Sequence, residues 1–291
     1  MSETALAYDT AILSNRGGRE ANQDEARHIA SPGGGCWVLC DGLGGHGGGE
    51  TAARIGATTI LQCFELYAEC SEPALRTYLE SARRAILAER AQNHYLAAMN
   101  STVVLLVISG GVAMWAHAGD SRLYWFRSGR LQKQTRDHSV PQSLADAGKI
   151  SPKAIRFHED RNKVLRTLAG GDSLEADLSA EAVHLKAGDS FLLASDGLWE
   201  LVNETEMEVE LARAANAEAW LKGLETRLRA RAFSGHDNYS AIAVRIAAQA
   251  PPTPPPAPRA APEPVSLSTN SSIDLPKTER PLPRLKPGGQ D

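Results

Sequence analysis

Between residues 102 and 127 three β-rich runs, TVVLLVI, VAMWAHAG and SRLYWFR, follow one another with only Ser109-Gly110-Gly111 and Gly119-Asp120 at their junctions. A parallel pair needs a crossover of a dozen or more residues, so connections this short predict antiparallel strands. Ser128-Gly129 marks another tight turn, and ALAYDTAIL (5–13), CWVLCD (36–41), DSFLLAS (189–195) and SAIAVRI (240–246) are further strand candidates. Two long helical stretches, 48–69 and 73–97, separate the early strands from this meander. In GETAARIGATTILQCFELYAE apolar side chains recur every three or four residues, the period of one helix face. Two more helices, near 204–214 and 217–231, precede the last strand. Strands grouped apart from paired helices predict an α+β domain in which helices cover antiparallel sheets. The stretch 137–170 is too long for a featureless loop, and a functional flap is the expectation there.

With 291 residues the chain can bury a core that needs no staples. Of its 16 prolines only Pro32, Pro73, Pro141 and Pro152 precede residue 249. The expected organisation is therefore a folded domain over 1–247 and a proline-rich, disordered tail over 248–291, which reads as a spacer with polyproline II character. PLPRLKP (281–287) suits an aromatic-lined groove, but such tails match that pattern by chance. A net charge of -4 and a pI near 6.1 argue against nucleic acid as a partner, since phosphate backbones are bound by basic surfaces. Cys36, Cys40, Cys63 and Cys70 form no paired C-x-x-C sets and read as free thiols, which favours a reducing compartment. The first residues lack a basic, then apolar, leader, and no window is apolar enough to span a bilayer. A soluble, cytoplasmic monomer is expected.

Four aspartates share one situation, an apolar strand on one side and a small residue on the other. They are Asp41-Gly42, Asp120 in AGDSR, Asp196-Gly197, and Asp237 in GHDNYSAIAV, which opens its strand rather than closing it. Asp24 in NQDEA is a fifth candidate. A single aspartate in a turn is ordinarily a turn former that bonds its own backbone. Four at strand ends are different, because carboxylates gathered at one sheet edge repel unless protons or cations neutralise them. Oxygen ligands without a histidine or cysteine set suit Mg²⁺ or Mn²⁺ rather than zinc. The run Gly42-Leu43-Gly44-Gly45-His46-Gly47 also fits the dinucleotide pattern G-x-G-x-x-G. Asp41 beside the pyrophosphate position, a second helix in place of the parallel strand, and an acidic residue buried in helical sequence near Glu65 all argue against that reading.

These residues resemble the metal-dependent Ser/Thr protein phosphatases of the 2C type, in their bacterial form. The resemblance rests on GGREANQD (17–24), CDGLGGHGGGE (40–50), STVVLL (101–106), AGDSRLY (118–124), DHSVPQSLADAGKISP (137–152), SDGLWE (195–200) and HDNYSAI (236–242), in the expected order. It implies a four-layer αββα sandwich, two antiparallel sheets flanked by helix pairs, with two Mn²⁺ or Mg²⁺ ions at one end. On this resemblance Asp41 bridges the ions, the Gly42 carbonyl binds one, and Asp196 and Asp237 hold the other. Asp24 acts through waters, Asp120 shares a weaker third ion with Asp196, and Arg19 binds the substrate phosphate with a planar fork. The implied reaction is hydrolysis of phosphoserine and phosphothreonine on proteins by a hydroxide shared between the ions. The implied partners are a cognate Ser/Thr kinase or its targets. Two positions depart from relatives. Leu43 stands where some carry a histidine proposed as general acid, leaving His46 as a candidate, and Gln23 stands where glutamate is frequent. A binding module that has lost catalysis is disfavoured because the aspartates and Arg19 are all present; a nuclease is disfavoured by the acidic charge.

Overall fold

The computed structural model describes residues 6–31, 33–45 and 47–248. The apolar runs pair into two antiparallel sheets. One has the order β1 (Leu6–Asn15), β12 (Tyr239–Ala248), β11 (Ser190–Ala194), β7 (Arg122–Arg127) and β8 (Arg130–Gln134). The other runs β10 (Val183–His184), β6 (Val112–Ala118), β5 (Val103–Ser109), β3 (Gly34–Leu43) and β2 (Asp24–Ser31), with β4 (Asn100–Ser101) on β3 and β9 (Asp177–Leu178) on β6. Alternate side chains of the two sheets face each other. Trp37, Leu39, Val104, Leu106, Leu123, Phe191 and Ile242 fill this middle layer with no solvent exposure.

Each sheet's outer face is covered by a helix pair, as expected. Over the second sheet lie α1 (Gly48–Tyr67) and α2 (Glu72–Gln92). Ala52, Ala53, Gly56, Ala57 and Ile60 form the buried stripe of α1, and their small size brings the helix close to the strands. Ser71 caps α2 by accepting from the Ala74 N–H at 3.3 Å, and Pro73 sits in its first turn, where no donor is missed. The expected helix 73–97 stops at Gln92, and a short 3₁₀ turn, His94–Leu96, follows. The first sheet carries α5 (Glu204–Arg213) and α6 (Ala217–Arg229), with Trp220 fully buried beneath them. A capping box opens α5: Asn203 accepts from the Glu206 N–H at 3.0 Å and Glu206 from the Asn203 N–H at 3.1 Å.

Two features of the flap stretch were invisible to periodicity, α3 (Val140–Asp146) and a 3₁₀ segment, Pro152–Phe157. One junction behaves differently from expectation. Ser109-Gly110-Gly111 and Ser128-Gly129 close hairpins, but Gly119-Asp120 does not, because β6 and β7 lie in different sheets. The chain crosses there from one sheet to the other. The tail beyond residue 248 lies outside the described residues.

Trp37 joins the two sheets, its indole N–H donating to Thr10 Oγ1 of β1 at 3.0 Å. Replacing it by alanine should lower unfolding free energy by about 3–5 kcal/mol, read from urea denaturation. A loss below about 1 kcal/mol would show that the middle layer is not tightly packed.

Candidate metal centre

The strand crossings deliver four aspartates to one end of the sandwich. Asp41 lies near the end of β3 beside Asp24, its register partner on β2. Its carbonyl accepts from Thr102 N at 2.8 Å and Ser101 Oγ at 2.9 Å, so the strand is pinned just where the carboxylate leaves it. Asp120 sits in the crossing between the sheets, and its carbonyl accepts from the Trp199 indole at 2.9 Å. Asp196 opens the short helix α4 (Asp196–Trp199) directly after β11. Asp237 precedes β12, its Oδ1 accepting from the Asn238 N–H at 2.8 Å.

Two glycines permit this convergence. A Cβ on Gly42 would lie 2.1 Å from the Gly49 carbonyl oxygen, and one on Gly197 would lie 2.1 Å from that of Asn238. Both approaches are backbone against backbone, so a side chain could enter only by separating the segments.

Asp41, Asp120, Asp196, Asp237, Gly42 and Arg19 line one cleft of about 270 Å³, with Asn162 and Val164 of the flap stretch on its wall. Arg19 Nη2 donates to Asp237 Oδ2 at 2.8 Å, so the expected phosphate-binding side chain touches an expected metal ligand. Asp24 is buried and accepts from Ser195 Oγ at 2.8 Å. His46 lies outside the described residues.

The electrostatics fit cations. Burial first, and then the carboxylates of Asp24, Asp196, Asp120 and Asp237, push Asp41 well above the usual carboxylate range. Asp196 is raised for the same reasons, with Asp120 its strongest repelling neighbour. Burial pushes Asp24 up to about 6, against the hydrogen bonds from Ser195 and Ser240, and Asp120 up to about 7. Asp24 Oδ1 and Asp120 Oδ1 are buried with no hydrogen-bond partner among the described residues. Orphaned, mutually repelling oxygens are satisfied by hard divalent cations. No three of these carboxylates approach within 4.8 Å of one another among the described residues. Mg²⁺-like ions keep several waters and need only one or two carboxylates each, so the looser spacing still suits them.

His117, His138 and Asp177 do bring ligand-type atoms within 4.8 Å of one another. Their hydrogen bonds argue against an ion there. His117 Nε2 donates to the Arg136 carbonyl at 2.7 Å, and His138 Nδ1 accepts from the Gly119 N–H, leaving the His138 proton on Nε2, 3.4 Å from Asp177. The rings are stacked with an interplanar angle of 13°, so they do not aim at a common point.

Sequence reasoning missed the residues that hold the candidate ligands in place. Asn238 donates to the carbonyls of Arg16 and Ala21 and accepts from the Gln23 N–H, each at 2.8 Å, locking the Arg19 loop against Asp237. Ser195 joins Asp24 to β12 through the Ser240 N–H. Arg122 stacks 3.5 Å above the Trp199 ring and grips Asp137 with two 2.7 Å bonds, so Asp120 and α4 share one buried brace. The only sequence signal was adjacency, since Asn238 and Ser195 each neighbour a candidate aspartate.

Raised carboxylate pKa values mean that the folded chain binds protons more tightly than the unfolded one. In chelator, stability should therefore fall as pH climbs from about 4 toward about 7, the interval between the unfolded and folded values. Calorimetry should show Tm declining across that interval, less steeply in Asp41→Asn, with added Mn²⁺ raising Tm most at the upper end. A Tm that rises with pH in chelator would contradict the clustering. Gly197→Ala should reduce Mn²⁺ affinity at least about tenfold by isothermal titration, because it pries Asp196 from Asp237; unchanged affinity would show that this approach does not position the ligands.

Comparison with known proteins agrees with this architecture. The family model described as "Protein phosphatase 2C" matches residues 14–231. The Mycobacterium tuberculosis serine/threonine protein phosphatase PstP is 29% identical over 248 residues, covering 83% of this chain and 46% of that protein, so the chain spans about half that relative's length. The Listeria monocytogenes serine/threonine phosphatase stp is 29% identical over 71% of this chain and 82% of its own. Among solved structures, the PstP catalytic domain in complex with two manganese ions superposes with a TM-score of 0.71 at 28% identity, over 83% of this chain and 99% of that one. PppA of Pseudomonas aeruginosa, described as a key regulatory component of T6SS, gives 0.67 at 32% identity over 82% and 97%. With a match spanning most of its length and these shared folds, the chain belongs to the protein phosphatase 2C family.

Proposed function

We propose that this protein is a metal-dependent Ser/Thr protein phosphatase. The observation that carries the reading is the cleft itself, in which repelling carboxylates from four separate strand ends face an arginine. Asp41, the Gly42 carbonyl, Asp196 and Asp237 would hold two divalent cations, Mn²⁺ or Mg²⁺, with Asp24 behind them and Asp120 toward a third. When bound, the ions supply Lewis acidity and a water of lowered pKa. The remaining work falls to the chain. Arg19 meets two oxygens of the phosphate monoester and orients it, and its charge offsets the dianion. Asn162 and Val164 shape the wall against which the phosphorylated residue lies. Asn238 and the Trp199 brace keep the loops from yielding as charge redistributes. In the same proposal His46 is the group that protonates the leaving alkoxide.

The substrates on this reading are phosphoproteins, a cognate Ser/Thr kinase or its targets, handled by a monomer. PstP and stp are named as serine/threonine phosphatases, which supports that class. No helix among the described residues is long and apolar enough to cross a membrane, and the four thiols are unpaired, in keeping with a cytoplasmic location. Residues 1–247 would be the catalytic domain and 248–291 a tail outside the chemistry.

Hydrolysis of a phosphothreonine peptide should require Mn²⁺ or Mg²⁺ and drop at least about a thousandfold in Asp41→Ala and Asp196→Ala. Arg19→Ala should raise KM more than it lowers kcat if ground-state phosphate binding is its main part. No hydrolysis with either ion would overturn the reading, and full activity in both aspartate variants would overturn the site.

A further inference from the structure

A second cavity, of about 510 Å³, opens between the free edges of the two sheets and shares no residue with the catalytic cleft. Trp115 of β6 and Trp125 of β7 form its walls, their rings 6.4 Å apart and tilted by 41°. Lys133 of the edge strand β8 lies 5.4 Å over the Trp115 ring, and Arg127 lies 4.8 Å over that of Trp125. Residues 180–184 and Lys186, from the segment that carries β10, complete the lining, Glu181 among them.

Two of the charges here are not accounted for by the fold. Arg127 is committed to Asp189 through two bonds of 2.7 and 2.8 Å. Lys133 and Lys186 are exposed and, unlike Lys163 with Asp160, form no ion pair among the described residues. Beside the exposed Glu181 they leave the rim with one positive charge in excess on a chain of net charge -4. Trp125 differs from three of the protein's other tryptophans. Trp37, Trp199 and Trp220 each donate to an acceptor within the fold, whereas Trp125 Nε1 is buried with none among the described residues. A cavity of this size falls in the range that takes small organic ligands. Indole walls favour a flat ring, and two unpaired ammonium groups favour phosphate.

We propose that this cavity binds a nucleoside phosphate, its base against the indoles and its phosphate on Lys133 and Lys186. The ligand is distinct from the phosphatase substrate because the site stands apart from the cleft. Its segment continues from β9, whose Asp177 faces both Arg166 and His138 at 3.4 Å, so the occupant would bear on residues at the base of the flap.

Equilibrium dialysis of the full chain against AMP, ATP, adenosine and inorganic phosphate tests this, with EDTA present so that no cation recruits nucleotide to the catalytic cleft. AMP or ATP should bind saturably, with quenching of tryptophan fluorescence, and at least tenfold more tightly than adenosine or phosphate alone. The double variant Lys133→Glu/Lys186→Glu should weaken binding at least tenfold, Trp125→Phe should weaken it measurably, and Arg19→Ala should leave it unchanged. Circular dichroism would establish that each variant is folded; should the glutamate pair unfold, Lys133→Ala/Lys186→Ala takes its place. No saturable nucleotide binding, equal affinity for phosphate alone, or binding lost in Arg19→Ala but kept in the lysine variant would each overturn the proposal.

Discussion

Carboxylates that share a buried cleft repel one another, and the rest of this structure can be understood as what holds them there regardless. Asp41 and Asp196 are each raised by burial and by the other carboxylates of the cleft, and Asp120 by burial and by Asp137. A chain free to relax would move these groups apart. It cannot, because each is attached to a strand of the packed middle layer or to a turn bonded to a neighbouring strand. Asp41 is tied to Ser101 and Thr102, and Asp120 to Trp199. The fold thus retains an electrostatic cost that divalent cations would relieve, which makes ion binding and stability two readings of the same interaction.

The brace behind the cleft spreads this constraint inward. Trp199 ends the turn that Asp196 begins, and its indole N–H reaches the backbone of Asp120 in the crossing between the sheets. Arg122 lies over its ring and is neutralised by Asp137, both side chains almost wholly withdrawn from water. A buried pair of this kind contributes little net stability against an apolar substitute, yet removing one partner costs about 3–5 kcal/mol. Its value here is positional, since it fixes Asp120 relative to Asp196. Arg161, from the flap stretch, meets Glu200 at 3.0 Å, so the cleft wall is joined to the same turn.

Much of this was legible in the sequence, for identifiable reasons. The middle-layer strands β5, β6 and β11 are continuous apolar runs, and α1 and α2 carry clear apolar stripes. By contrast β2, read as DEARHIAS, and β8, read as RLQKQ, are edge strands with polar outward faces, so neither pattern rises above a loop. The Gly119-Asp120 junction misled because a tight turn and a crossing between stacked sheets use the same residues. The aspartates stood out by repetition at strand ends. Asn238 and Ser195 did not, because a hydrogen bond between segments more than 170 positions apart has no period.

The most direct test of the central claim, that this acidic end exists to hold cations, is anomalous diffraction at the manganese edge from crystals grown with Mn²⁺. The account predicts two strong peaks in the cleft, one beside Asp41 and the Gly42 carbonyl and the other beside Asp196 and Asp237. An empty cleft at saturating Mn²⁺, or density confined to His117, His138 and Asp177, would contradict it.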